Sequence, residues 1–448
     1  MKYLFYLCFG LSAFKSDVNL VWFKSYNKSV TELPPDSNYI DSKVYKSLAE
    51  VSTYRIKNVS NERTKIRQAY DTVYVDNFHA RGNGTSDDTQ AIQNAINSGA
   101  KVLIYSKKKY NIKGELKLKS NQKHYGNGAT LLRITNNSSQ SLFFGSGISN
   151  LVLDGFIFLG KTTKSDSNYN SNAACVRIIN SKKITIKNST AKYGVSGFHL
   201  RYVDNVNLTN LICSNNILTG ISAIVNNVEL SNITSFNNGY PSKGQTHEIY
   251  IINSSNGVLK NSKIGKHNDP TSEAVVLRFD LSDSKKGFNS LENWNIYNNS
   301  INNNGISIGS DPGVPVKDRK PPINVSISNN NFNNSAGLKF DDPEKCLSKN
   351  NKGITNLICR VASNYGGYSP GLISTNDECS KIIQSSLKNL TNKTKNSIVF
   401  DSPVIWNGDR DGLENAKGFG GVPSMTLITP NFKGKKNVQL KFNSVLRK

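Results

Sequence analysis

The sequence predicts an all-β solenoid, one chain wound into stacked strands, and three observations carry that expectation. A hydrophobic pattern ending in asparagine recurs: Ile184-x-Ile186-x-Asn188, Val206-x-Leu208-x-Asn210 and Val228-x-Leu230-x-Asn232 follow one another every 22 residues. Looser copies are Gly257-x-Leu259-x-Asn261, Trp294-x-Ile296-x-Asn298 and Val325-x-Ile327-x-Asn329. Within each copy apolar and polar residues alternate, and β-branched residues are frequent, which is strand chemistry. Asn and Gly then mark the corners. A fixed period of this size signals coils that bury their apolar faces by stacking on their neighbours. Such a stack presents a long outer face suited to an extended polymer.

Taken in order, Met1 to Phe14 is one lysine followed by a mostly apolar run, too short to span a bilayer and similar to a secretory leader. Residues 15–72 are polar, with Pro34-Pro35, and read as an N-terminal extension. Val73 to Val75 begin a strand that leads into Arg81-Gly-Asn-Gly-Thr-Ser-Asp-Asp-Thr89. Its glycines make a tight turn, and Asp88 or Thr89 caps a helix with Ala91, Ile92, Ala95 and Ile96 on one stripe. Gly99 suits the helix exit, and Lys101 to Tyr105 form the next strand. Strand-like pieces follow through 112–160, the coils are expected over 73–340, and 341–448 reads as C-terminal coils and a cap or appendage.

Composition narrows the partner. The 56 Lys+Arg against 32 Asp+Glu give a net charge of +24, which calls for an anionic partner or surface. No nucleic-acid motif is present and the basic residues are spread out, so an acidic polysaccharide is expected and nucleic acid is not. No stable membrane insertion is expected. The six cysteines lack metal spacing and read as buried free thiols, with a bridge among Cys346, Cys359 and Cys379 left open. No metal and no cofactor are expected.

The stretch Gly82-Asn-Gly84-Thr-Ser-Asp87-Asp88-Thr89-Gln-Ala91-Ile92, followed by a helix and a strand, resembles the opening segment of the pectate-lyase-like superfamily. Asn83 stands where that motif usually has an acidic residue. Leu118-Lys-Ser-Asn121 and Tyr125-Gly-Asn-Gly-Ala-Thr-Leu131 are similar to the first coils of that family. The resemblance implies a single-stranded right-handed parallel β-helix whose N-terminal end is covered by a capping helix. The leader-like start at Met1 to Phe14 points to secretion or a cell-surface location, and the resemblance leaves a homotrimer open, as in tailspike relatives. The superfamily holds lyases, hydrolases, epimerases and tailspikes, so fold does not name the reaction. Asp87 and Asp88 read as structural, and the repeated asparagines read as a buried, mutually hydrogen-bonded stack.

Counting back from each anchor aligns a second strand of every coil: Gly197–Arg201, Gly220–Ile224, Glu248–Ile252, Ala274–Arg278 and Gly305–Gly309. Alternation then turns Phe198, Ile221, Ile249, Val275 and Ile306 inward, with Leu200, Ala223, Ile251, Leu277 and Ile308. It turns outward His199, Ser222, Tyr250, Val276 and Ser307, and beside them Arg201, Ile224, Ile252, Arg278 and Gly309. An exposed row of His199, Tyr250, Arg201 and Arg278 is expected to serve a polyuronate. An arginine would neutralise the carboxylate, and Tyr250 or His199 would take the C5 proton or protonate the leaving oxygen. This points to a lyase acting by β-elimination.

Two alternatives stand beside it. Hydrolysis would use Glu248 with Glu273, and His247 is expected to contact Glu273 as an acid/base pair or a surface ion pair. A non-catalytic, adhesin- or tailspike-like glycan binder would use the same face. Asn304-Gly-Ile-Ser-Ile-Gly-Ser310 is similar to a polygalacturonase stretch but lacks its histidine, and no acidic cluster supports a calcium-dependent lyase.

Overall fold

Strand after strand in the computed structural model pairs in parallel with the strand one turn earlier. Residues 71–135, 140–162, 173–240, 246–266, 268, 272–302, 305–315, 318–341 and 343–361 are described, with the strands Lys395–Phe400 and Val438–Phe442. The leader and nearly all of the N-terminal extension lie outside the described residues, as does most of the stretch beyond 361. The chain forms a single-stranded parallel β-helix with an N-terminal helix.

Each coil contributes to three faces. The front sheet stacks 176–179, 198–201, 221–224, 249–252, 275–278, 306–309 and 338–341. The long sheet stacks 184–187, 206–209, 228–231, 257–260, 294–297 and 325–328, in the register the sequence repeats predict. Short strands such as Thr234–Phe236 and Lys263–Ile264 close the third face. Tyr202 is skipped between Arg201 and Val203 in the pairing with the next coil, which absorbs the unequal spacing of those two turns. The stack also runs past residue 340: Lys352–Val361, Lys395–Phe400 and Val438–Phe442 continue the parallel pairing.

The inward rows make the core. Phe198, Ile221, Ile249, Val275 and Ile306 are fully buried, as expected from alternation. Aromatic rings stack along the axis, with Phe156, Phe158 and Phe198 joined at centroid separations of 5.3 and 6.3 Å. The departure of Gly257 from the repeat has a steric cause: a Cβ there would lie 2.2 Å from the indole of Trp294 in the next coil. Cys175, Cys213 and Cys346 are buried, and Cys175 and Cys213 are free thiols.

At the N-terminal end, helix α1 (Thr89–Asn97) buries Ile92, Ala95 and Ile96 over the first coils. Asp88 Oδ1 accepts from the backbone N–H of Arg81 at 2.6 Å, and Asp87 Oδ1 accepts from that of Thr89 at 3.0 Å. Both carboxylates are committed to the turn, and Gly82 adopts φ +58° there with no room for a side chain against Lys108 and Tyr110.

The asparagine stack differs from expectation. Asn188, Asn210, Asn232, Asn261, Asn298 and Asn329 are exposed and adopt φ between +51° and +56°. Asparagine tolerates this left-handed corner better than other non-glycine residues. The corner conformation turns these side chains out and the following residue in. The buried ladder is therefore one position on: Ser262 N–H donates to Asn299 Oδ1 (2.9 Å), Asn299 N–H to Asn330 Oδ1 (2.9 Å), and Asn330 N–H to Asn351 Oδ1 (3.0 Å).

Candidate functional site

The front sheet brings the sequence-predicted strip together. By register Arg177, His199, Ser222 and Tyr250 form one outward row, and Ile179, Arg201 and Ile224 run alongside, with Ile252 and Arg278 paired further down. With coils about 4.8 Å apart, His199 and Tyr250 lie roughly 10 Å apart at the backbone, and Arg201 and Arg278 roughly 14 Å.

Exposure is where expectation fails. His199 and Tyr250 retain only 5% and 4% of their accessible surface. Beside Tyr250 the cover is a strap of residues 280–290 that leaves the strand Val275–Phe279 and reaches back to the preceding coils. Its Asp283 carboxylate pairs with Arg201, and its Phe288 ring packs edge-on to Tyr202 at 5.7 Å. Lys285 Nζ lies 4.8 Å over the Tyr202 ring and donates to Asn180 Oδ1 at 3.0 Å, while Asn226 Nδ2 donates to Gly287 O at 2.5 Å. Beneath it Ile224, Tyr250, Ile252 and Val276 form a second apolar cluster outside the solenoid core. Aliphatic side chains in an outward row are costly in water, so the strap is their physical counterpart. Those three aliphatics were the available signal for a cover; Asp283, Phe288 and Tyr202 were not foreseen.

Both expected arginines already hold carboxylates of the same chain. Arg201 is bound by Asp283, and Arg278 Nη1 lies 3.1 Å from Asp311 Oδ2 with both side chains mostly buried. The neutral groups are less satisfied: His199 Nε2 and Tyr250 Oη are buried without a hydrogen-bond partner. Burial, then Arg201 and Arg177, hold the His199 pKa down at about 3, so the ring is neutral. Burial likewise raises the Tyr250 phenol, which stays protonated.

The remaining predicted residues serve structure. Glu248 is fully buried, and its carboxylate accepts from Asn238 N–H (3.0 Å) and Ser235 Oγ (2.6 Å), closing an asparagine corner formed with Asn216. It is therefore unavailable to a glycosidic bond, which corrects the Glu248/Glu273 expectation. His247 does meet Glu273, but through the backbone: Nδ1 donates to Glu273 O at 2.8 Å, and the ring stacks on Tyr250 at 5.1 Å. Its ring is buried and not at the surface, where an exposed ion pair would place it.

A shallow groove of about 410 Å³ lies elsewhere, on the long sheet, lined by Lys123, Lys183 and asparagines such as Asn150, Asn205 and Asn227. Among the described residues no group of three His, Cys, Asp or Glu is arranged to hold a metal, and no helix is long and apolar enough to cross a membrane.

Comparison with solved structures follows this geometry. The A-module of the mannuronan C-5 epimerase AlgE4 from Azotobacter vinelandii superposes with a TM-score of 0.50 at 14% identity, covering 83% of this chain and 95% of that module. This chain shares the parallel β-helix fold of that module. The Dettilon tailspike gp208 matches with a TM-score of 0.45 at 16% identity over 65% of this β-helix, which spans only 59% of the tailspike. The Streptococcus pneumoniae surface adhesin PfbA gives 0.43 at 16% identity, over 74% of this chain and 82% of the adhesin. No protein-family model and no curated protein matches the chain. At these identities the likeness is one of fold, and function has to be argued from the front strip.

Proposed function

We propose that this β-helix is an extracellular carbohydrate-active enzyme that cleaves a uronate-containing polysaccharide by β-elimination on its front sheet. The observation that supports this most is the pair of buried, unpartnered polar atoms, His199 Nε2 and Tyr250 Oη, on one row among arginines. Each such atom costs about 1–3 kcal/mol, and a ligand that completes the bonding is one reason to keep it.

The chemistry follows from their protonation states. In β-elimination a base removes the C5 proton of a uronate, the C4–O bond breaks, and a C4=C5 double bond forms while the leaving oxygen takes a proton. Neutral His199 has the lone pair to accept the C5 proton. Tyr250, held protonated by burial, has the proton to give to the leaving oxygen. A guanidinium on the uronate carboxylate stabilises the charge that develops next to C5. Arg201 and Arg278 are occupied by Asp283 and Asp311, so that guanidinium has to come from elsewhere on the row.

A second reading is favoured by that same neutralisation: with both arginines paired internally, the face holds an acidic glycan without cleaving it. The two are separated by incubating the purified protein with a panel of uronate polymers while following ultraviolet absorbance and reducing ends together. Elimination raises both, and a binder raises neither. Tyr250→Phe and His199→Ala are each expected to lower turnover by about 10²-fold or more. Full activity in both variants would remove this site from consideration.

A further inference from the structure

We infer that Arg177, and neither Arg201 nor Arg278, receives the carboxylate of the anionic sugar, on a subsite that continues toward Phe144 and Lys117. This rests on the polyuronate reading above and specifies where that substrate is held.

The argument starts from what the three arginines already bind. Arg201 serves the strap through Asp283, and Arg278 serves Asp311, so each is a neutralised pair. Arg177 makes no ion pair among the described residues, and its Nε is buried without a hydrogen-bond partner. Glu115 is an acidic group close enough to act on it, but its Oε2 accepts from the backbone N–H of Ser141 at 3.1 Å. An arginine with an unfilled donor and no ion pair suits an incoming carboxylate, because its planar fork matches carboxylate geometry.

Position agrees. Arg177 is paired directly with His199, so a uronate held by the guanidinium lies one coil from the proposed base. On its other side Arg177 pairs with Phe144, and its guanidinium carbon sits 5.2 Å over that ring. This stacking fixes the plane of the fork without consuming its donors. Phe144 pairs in turn with Lys117, which is exposed. The strap's contacts fall on Asn180, Arg201, Tyr202 and Asn226. Lys117 is exposed, and Phe144 and Arg177 are half-buried beside these strap contacts, on the coils that lead to His199. Phe144 is a positioning residue in this scheme and touches substrate only through the arginine.

The test measures binding of an oligouronate and of its carboxyl-reduced, neutral counterpart by calorimetry, with the full chain and four variants. Arg177→Gln is expected to weaken oligouronate binding by at least about tenfold while leaving the neutral sugar unaffected. Arg177→Lys restores part of the loss, and Phe144→Leu shows a smaller one. Arg201→Gln retains binding. Unchanged affinity in Arg177→Gln with loss in Arg201→Gln overturns the subsite and leaves the polyuronate reading standing. Equal loss for charged and neutral sugars reduces Arg177 to a structural residue and overturns it as well. No binding of any oligouronate by the wild-type chain sinks both.

Discussion

The guanidinium of Arg201 and the carboxylate of Asp283, 82 residues apart in the chain, meet on the outer face of the front sheet. One lies in a coil and the other in the strap, so this pair fastens the strap beside Tyr250. The strap's remaining anchors are Phe288 against Tyr202 and Lys285 on Asn180.

Asp283→Asn is expected to loosen that cover more than it destabilises the fold. Both partners are partly solvated, so the pair contributes about 0–1 kcal/mol. Hydrogen exchange of residues 280–290 should accelerate while the unfolding midpoint moves little. A strap that exchanges as slowly as in the wild type would show that Phe288 and Lys285 hold it alone.

Gly257 and Trp294 form a steric pair and should behave as one. Gly257→Ala places a methyl group into the indole and is expected to cost about 1–3 kcal/mol or more. Trp294→Ala is expected to cost about 3–5 kcal/mol through the cavity it leaves. In the double variant the clash is gone, so denaturant titration should give less than the sum of the two. Strict additivity would contradict the contact.

The two asparagine columns predict opposite outcomes for similar substitutions. Asn330→Ala strips partners from Asn299 and should cost about 1–3 kcal/mol. Asn210→Gly keeps the left-handed corner and should stay within about 0.5 kcal/mol of wild type. Thermal unfolding of both variants decides whether the buried ladder and the exposed corner are correctly told apart.

Two buried histidines give the protein an acid sensitivity with a definite sign. Burial holds His124 and His199 at about 3, against about 6.5 in an unfolded chain. Between those values the unfolded state binds protons that the folded state does not, so stability is intact above about 6.5 and falls as the pH drops toward 3. Each histidine contributes a slope of about 1.4 kcal/mol per pH unit within the window. Urea unfolding at several pH values should show the slope reduced in His199→Asn and in His124→Asn. An unchanged slope in both would mean that neither ring stays neutral in the fold.

Much of this molecule was legible in order of residues. The anchors Ile184, Val206, Val228, Gly257, Trp294 and Val325 pair coil to coil as their spacing predicts, because strand alternation and a fixed turn length leave one register that buries every apolar row. The same logic placed His199 and Tyr250 on one strip. It misjudged the repeated asparagines, since period alone does not distinguish a left-handed corner residue facing water from its neighbour facing inward.

What sequence alone determined was the solenoid, its register and which residues share a face, since these depend on local alternation and repeat length. Only the tertiary structure decided whether that face meets solvent, because the strap returns across several coils through contacts such as Arg201 with Asp283 and Tyr202 with Phe288. Such contacts join residues of unrelated phase, and no periodicity encodes them. The commitment of Glu248 to Asn238 and Ser235 is of the same kind: a carboxylate's role depends on which donors the corner brings to it.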